Sequence, residues 1–199
     1  EDIPIGPFQQ NVPWDWTTWS EYRKSFEANV KVPLNYASYV GHIPLRLAAM
    51  GMDAWDRAAT PAEIAKMCEL LDDALSAGAL GLSDNMHDHD GENRPVPSML
   101  ADDAEFSALF DVMNRYPNTC YQIIVDTFMR MNGPANLKRL EKLLTGRKIR
   151  VQIAGGIPTL WFQAGILPEM QKTIEEMRAA GIDVWPGFAH VSPTSVLSI

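Results

Sequence analysis

The sequence predicts an α/β fold in which about five βα units form a partial (β/α)8 TIM-like barrel with its first and last strands missing. Segments typical of helices and of strands alternate with short connections along the 199 residues. Such alternation builds parallel sheets because each crossover between strands needs a helix. A complete barrel usually takes about 250 residues. No early turn carries the spaced glycines of a doubly wound nucleotide-binding sheet, although an open α/β sheet remains the alternative.

The first 34 residues differ from the rest and are predicted to be an irregular, Trp-rich lead-in segment, with residues 35–199 forming the incomplete barrel. Trp14, Trp16 and Trp19 crowd this segment, and a short helix is expected near residues 20–28. Three tryptophans so close together either line a ligand slot or fix an irregular segment onto a core. We adopt the second interpretation.

In the barrel segment the sequence predicts alternating strands and helices. The first element is a strand at residues 36–41, and a loop is expected to start after it at His42. Thr60 and Glu63 form a capping box around Pro61 at the start of the next helix, and Gly78 ends that helix. A strand follows at 79–84. Three more pairs repeat this order, with helices that start at Asp102, at Pro134 and near residue 167. Their strands are expected at residues 120–126, 149–154 and 182–188.

Charge and composition exclude several partners. The formal net charge is -8 and the sequence pI is near 4.9, which argues against nucleic acid and against anionic membranes. No apolar run approaches the roughly 20 residues of a membrane span. Cys68 and Cys120 are interpreted as reduced residues rather than a disulfide, which favours the cytoplasm. Neither end coincides with the end of an element, and we expect a fragment of a longer chain.

Polar residues at the ends of the predicted strands are the candidates for chemistry. His42 and Asp126 are the candidate catalytic residues, and Asp84 and Gln152 are candidate substrate-binding residues. If the barrel prediction is right, all four surround one mouth, because the carboxyl ends of barrel strands meet there. Alternatively, His42 is satisfied by neighbouring groups and the aspartates cap helices.

The segment His87-Asp88-His89-Asp90 contains residue types that bind metals. It follows a strand, among glycine and proline residues, so a solvated polar loop is the alternative interpretation. His87 and Arg94 are candidate substrate-binding residues, since arginine binds carboxylates with two parallel hydrogen bonds. The metal ligands stay unknown from the sequence.

Three blocks of the sequence resemble the N-acyl-D-amino-acid deacylases (D-aminoacylases) of the amidohydrolase superfamily. They are residues 35–51, residues 59–67 and residues 77–83, in the same order and with similar spacing. The resemblance is strong over about residues 14–85 and looser beyond them.

The resemblance implies a metal-dependent hydrolase on a (β/α)8 barrel, with zinc or another divalent metal activating the water that attacks an amide carbonyl. It also implies a small-molecule substrate like an N-acyl amino acid. Asp126 and Gln152 lie near places where the family has histidine ligands. A carboxylate is a weaker zinc ligand than imidazole, and an amide is a poor one, so the metal is either held differently or absent from this fragment.

We therefore expect a central fragment of a deacylase-like hydrolase of carbon-nitrogen bonds, and we expect this fragment to be inactive by itself. The alternative is a non-catalytic α/β scaffold or interaction fragment. A barrel lyase or aldolase is disfavoured because no lysine lies at a predicted strand end. Unpaired strands at the sheet edges predict self-association.

Overall fold

One parallel sheet of five strands organises the described part of the protein. The computed structural model describes residues 5–86, 88–125, 133–156 and 165–188. The order of the strands in the sheet is their order in the chain, and all neighbours are parallel. The strands are β1 (Val40–Gly41), β2 (Gly81–Met86), β3 (Cys120–Val125), β4 (Arg150–Gly156) and β5 (Asp183–Phe188).

Helices precede and connect these strands, so the predicted α/β class is confirmed. Within the described ranges β1 pairs only with β2 and β5 only with β4, and the barrel is not closed. The helices are α1 (Ile5–Asn11), α2 (Trp19–Asn29), α3 (His42–Met50), α4 (Pro61–Ser76), α5 (Asp103–Met113), α6 (Gly133–Leu144) and α7 (Leu167–Ala179). Two 3₁₀ segments cover Gly51–Trp55 and Pro97–Leu100.

The two faces of the sheet have different surroundings. Successive residues of a strand point to opposite faces, and the register brings residues of the same face side by side. The helix face carries Leu82, Tyr121 and Val151, which are fully buried in one core with apolar residues of α4 to α7. The opposite face, which we call the open face, carries Ser83, Gln122, Gln152 and Trp185 in one row across four strands.

Local signals in the sequence fix the helix ends as predicted. Thr60 and Glu63 form the expected capping box at the start of α4. The Asp102 side chain accepts a hydrogen bond from the Glu105 backbone and so caps α5. Gly78 follows α4 with φ +98°, a conformation that favours glycine.

Three predictions about local structure are wrong. The strand expected at residues 36–41 is limited to Val40–Gly41. A helix, α3, begins at His42 where the sequence suggested a loop. Pro44 does not oppose this helix because it lies in the first turn, where backbone N–H groups have no helical partner. The lead-in segment also contains α1 in addition to the expected short helix, which the structure places at α2.

Trp19 packs partly buried against the core, and the Ser20 hydroxyl donates to Asp73 of α4 over 2.8 Å. These contacts attach α2 to the barrel segment.

Cys68 and Cys120 are both unpaired, as expected, and both are partly exposed. Among the described helices none has the length and apolar character needed to cross a membrane.

Gly81 gives a direct test of the β2–β3 pairing. Its φ is +146°, and a Cβ atom added there would lie 1.9 Å from the Cys120 carbonyl oxygen. Because that oxygen belongs to the backbone, Gly81→Ala must separate β2 from β3 or change the backbone conformation at residue 81. We expect the free energy of unfolding to fall by about 3 kcal/mol or more, measured by urea denaturation. Gly91→Ala is the control, since nothing lies within 4 Å of its Cβ position, and equal stability of both variants would contradict the close approach.

Candidate functional site

A buried network of charged side chains surrounds His42. Its Nδ1 lies 3.3 Å from Asp84 Oδ1 and 3.0 Å from Ser98 Oγ, and its Nε2 lies 2.8 Å from Glu105 Oε1. Tyr121 Oη donates to the other Asp84 oxygen over 2.8 Å. The side chains of His42, Asp84 and Glu105 have no solvent-exposed surface. Both ring nitrogens of His42 are therefore engaged by protein groups.

Arg46 extends this network by one helical turn. Its Nη1 pairs with Glu105 Oε2, and its Nη2 donates to the Arg57 carbonyl over 2.8 Å. Glu105 thus accepts from two buried cations at once, His42 and Arg46. Buried charges are tolerated when they are paired and hydrogen-bonded in this way.

Five elements bring the network together, and one of them is β3, which contributes Tyr121. His42 and Arg46 lie on α3 four residues apart, and so on one side of that helix. Asp84 comes from β2 and Glu105 from the first turn of α5. Ser98, from the 3₁₀ segment Pro97–Leu100, closes the remaining side. The network therefore connects β2 to the helices on its buried face.

The charges of the network decide its protonation. Burial by itself lowers the pKa of His42, but the charges and hydrogen bonds of Asp84 and Glu105 outweigh it and raise that pKa to about 9. Burial likewise raises the pKa of Asp84, yet the His42 charge and the hydrogen bonds to Asp84 bring it below its usual value. Burial and the neighbouring Asp84 hold the pKa of Tyr121 well above 10. At neutral pH an imidazolium therefore lies between two carboxylates.

This arrangement favours a structural role for His42 and Asp84. An imidazolium donates from both nitrogens and cannot bind a metal through either. With no exposed surface, it also has no direct access to a substrate. The catalytic role of His42 stays a prediction, and the structure gives no contact that supports it.

The expectation that His42, Asp84 and Gln152 share one rim differs from the structure. Asp84 lies next to Ser83 in β2, so their side chains lie on opposite faces of the sheet. Gln152 belongs to the open face with Ser83. A position near the end of a strand does not show which face of the sheet a side chain occupies. Adjacent residues lie on opposite faces, so a shift of one residue changes the face.

The open face carries a row of neutral hydrogen-bonding groups. Tyr39 Oη donates to Gln152 Oε1 over 3.3 Å, and Ser83 Oγ donates to Gln122 Oε1 over 3.0 Å. Sequence reasoning singled out Gln152 but missed Tyr39, Ser83 and Gln122. A signal was present in β4, where the polar residues Arg150 and Gln152 alternate with the buried Val151 and Ile153.

In the loop after β2, charged side chains form an ion pair with each other. Arg94 donates from Nε to Asp90 over 2.9 Å, and its guanidinium lies 4.3 Å from the centre of the Trp55 ring. His89 forms an antiparallel bridge with Pro95. His87 and Asp126, two other predicted site residues, lie outside the described residues. The role of Arg94 in substrate binding stays a prediction.

The described residues do not fit a zinc centre. Within the described ranges no group of three or more His, Cys, Asp or Glu side chains is arranged to hold a metal ion. Gln152, near one expected ligand position, offers only an amide, and its oxygen already accepts from Tyr39.

The raised pKa of His42 predicts a pH dependence of stability. A group whose pKa is higher in the folded state stabilises fully below its unfolded value, about 6.5, and loses this contribution as the pH rises through about 9. The contribution is on the order of 3 kcal/mol. We expect urea unfolding to show this loss between pH 6.5 and 9.5, and His42→Gln to remove it. An unchanged slope in that variant would contradict the assignment.

Removing Glu105 should leave the buried Arg46 without the carboxylate that it pairs with, and His42 with Asp84 as its remaining carboxylate. We expect Glu105→Ala to lower the free energy of unfolding by roughly 3–5 kcal/mol, the usual effect of breaking a buried pair. Glu175→Ala, at an exposed position of α7, is the matched control and should change stability by about 0.5 kcal/mol or less. Thermal unfolding of both variants measures the difference, and similar transitions would refute a stabilising network.

Proteins of similar sequence are found in mycobacteria. No family model matches the chain. Uncharacterized proteins of Mycobacterium bovis and Mycobacterium tuberculosis are 38% identical over 121 residues, which cover 56% of this chain and 19% of each relative. The chain thus spans about a fifth of the length of the curated relatives that it matches.

Solved structures are similar to a larger part of this chain than the mycobacterial sequences are. An N-acyl-D-glutamate deacylase from Bordetella bronchiseptica, solved with zinc and a phosphonate inhibitor, matches with a TM-score of 0.67 at 24% identity, over 85% of this chain and 33% of its own. A D-aminoacylase matches with a TM-score of 0.65 at 23% identity, over 94% of this chain and 37% of its own. Another D-aminoacylase structure, described for its binuclear metal centre, has a TM-score of 0.64 at 23% identity, over 94% and 38%.

These structures confirm the resemblance at the level of the fold. The sheet and helices of this chain are arranged as in part of the deacylase barrel.

Proposed function

We propose that this chain is part of a deacylase-like hydrolase that cleaves carbon-nitrogen bonds of small N-acyl amino acids. The observation that supports this most is the match to N-acyl-D-glutamate deacylase over 85% of the chain. A shared fold alone does not fix a function. The chemistry of the site must therefore agree with the proposal.

The open face offers groups that suit binding of an amide. Gln122 and Gln152 accept hydroxyl hydrogens with their oxygens, which leaves their amide N–H groups as donors for a carbonyl or carboxylate. Burial and a hydrogen bond with Cys120 raise the pKa of Tyr39 to about 12. Tyr39 therefore stays protonated at neutral pH, and the row orients a substrate rather than exchanging protons with it.

The predicted site residues take different places in this proposal. Asp126, directly after β3, keeps its proposed catalytic role, and His87 and Arg94 keep theirs in binding the substrate. Gln152 binds substrate from the open face. For His42 and Asp84 the burial of the network supports a positioning role, in which they fix β2 against α3 and α5.

A divalent metal, zinc in the first instance, belongs to the proposal for the whole enzyme. The similar structures include one solved with zinc and one described for a binuclear metal centre. The described residues do not fit such a centre, and we assign them no step that involves a metal. We further propose a cytoplasmic location, supported by two unpaired cysteines, and self-association through the edges of β1 and β5.

Hydrolysis by the purified whole protein tests the function. We expect release of free amino acid from N-acetyl-D-glutamate or N-acetyl-D-methionine, and slower release from the L-forms. Gln152→Leu should raise KM about three- to ten-fold with little change in kcat, because a neutral hydrogen bond contributes about 0.5–1.5 kcal/mol. Gln171→Leu, at an exposed position of α7, should leave both constants unchanged.

Metal content must be measured in the same preparation. If the folded, metal-replete protein releases no amine from any N-acyl amino acid, the hydrolase proposal fails and the scaffold interpretation gains support. If Gln152→Leu and Gln171→Leu behave alike in an active enzyme, the open face does not bind the substrate.

A further inference from the structure

A shallow cavity of about 230 Å³ lies on the open face beside the starts of β3, β4 and β5. Arg150, Gln152 and Trp185 all line it. Arg150 and Gln152 are two residues apart on β4 and so project from one face, and Gln152 and Trp185 are register partners on neighbouring strands. A cation, an amide and an indole ring therefore meet at one place.

Arg150 is held in position but retains donors. Its Nε lies 3.4 Å from an Asp183 carboxylate oxygen, and its Nη2 donates to Asn118 Oδ1 over 3.2 Å. Nη1 has no protein partner within the described part of the chain. The guanidinium group is thus oriented by two neighbours and still able to bind an anion.

Gln152 presents its amide nitrogen to the same space. Its oxygen accepts from Tyr39, so the groups left to it are N–H donors. A Cβ atom at Gly187 would lie 3.9 Å from this nitrogen. The glycine therefore keeps the approach to the amide open.

Trp185 lies on β5, the edge strand of the described sheet, and 63% of its surface is exposed there. Its Nε1 donates to the Asp183 carboxylate, which also pairs with Arg150. Asp183 therefore fixes the ring edge and the guanidinium together, while the ring keeps a large apolar surface in contact with solvent.

We propose that this cavity binds a small organic carboxylate. The carboxylate accepts from Arg150 Nη1 and the Gln152 amide, and the apolar part of the ligand packs on Trp185. Asp183 is an acidic residue beside these groups, and its charge is engaged by Arg150 and Trp185. The proposal concerns binding alone and does not require that the chain catalyse hydrolysis.

Titration of the whole protein with three probes tests this site by ligand-observed NMR. The probes are 3-phenylpropanoate, its neutral amide 3-phenylpropanamide, and propanoate, which lacks the ring. We expect 3-phenylpropanoate to bind about ten-fold more tightly than either of the others, since each lacks one of the two interactions.

Variants locate the site. Arg150→Gln should remove the preference for the carboxylate over the amide, and Trp185→Ala should weaken both phenyl probes about ten-fold. The controls are Arg115→Gln and Trp14→Ala, which change an arginine and a tryptophan of similar exposure elsewhere. They should alter each affinity by less than about two-fold.

Three outcomes would overturn the proposal. The first is no saturable binding of 3-phenylpropanoate, and the second is equal affinity for this probe and its amide. The third is the same affinity in Arg150→Gln and Trp185→Ala as in their controls, with circular dichroism showing that all variants fold. Because none of these readouts depends on turnover, they separate this proposal from the hydrolase proposal.

Discussion

Side chains of a parallel sheet must alternate between its two faces, and this constraint organises the whole molecule. In β2 it sends Asp84 into the helix layer and Ser83 to the open face. Structural charges and binding groups are thereby adjacent in sequence but separated in space by the thickness of the sheet. The face that a strand residue occupies therefore decides whether its side chain is buried among the helices or lies on the open face.

On the helix face, the polar groups hold β2, α3 and α5 together. The His42 network places two cations and two carboxylates in a dry environment, where each compensates the desolvation of its neighbours. The geometry is demanding, because it needs β2, α3 and α5 to be in place together. We expect such a network to specify how these elements are arranged, since removal of one partner leaves a buried charge unpaired. A small set of polar residues can thus fix how the first βα units pack.

On the open face, the same register brings neutral donors and acceptors into one row. These groups are hydrogen-bonded in pairs, Tyr39 with Gln152 and Ser83 with Gln122, and they remain partly exposed. Towards the strand starts, Arg150 and Trp185 add charge and apolar surface. This face therefore combines hydrogen-bonding groups, a cation and apolar surface, which are the properties on which the proposed binding of a small ligand rests.

Much of the fold could be predicted from the sequence, because its signals are local. The capping box at Thr60 and Glu63, and the apolar spacing in α5 to α7, predicted those elements correctly. His42 shows the limit of such signals, since only tertiary partners 42 and 63 residues away, Asp84 and Glu105, explain its burial and its charge. The faces of the sheet on which Asp84 and Gln152 lie could not be predicted, because adjacent residues of a strand point to opposite faces and an error of one residue changes the face.

The pH titration of the His42 imidazole, followed by NMR, tests the separation of the two faces most directly. A buried imidazolium between Asp84 and Glu105 predicts resonances that stay constant from pH 5 to pH 8 and titrate near pH 9. Titration near pH 6.5, the value of an exposed histidine, would contradict it and return His42 to the surface where a substrate could reach it.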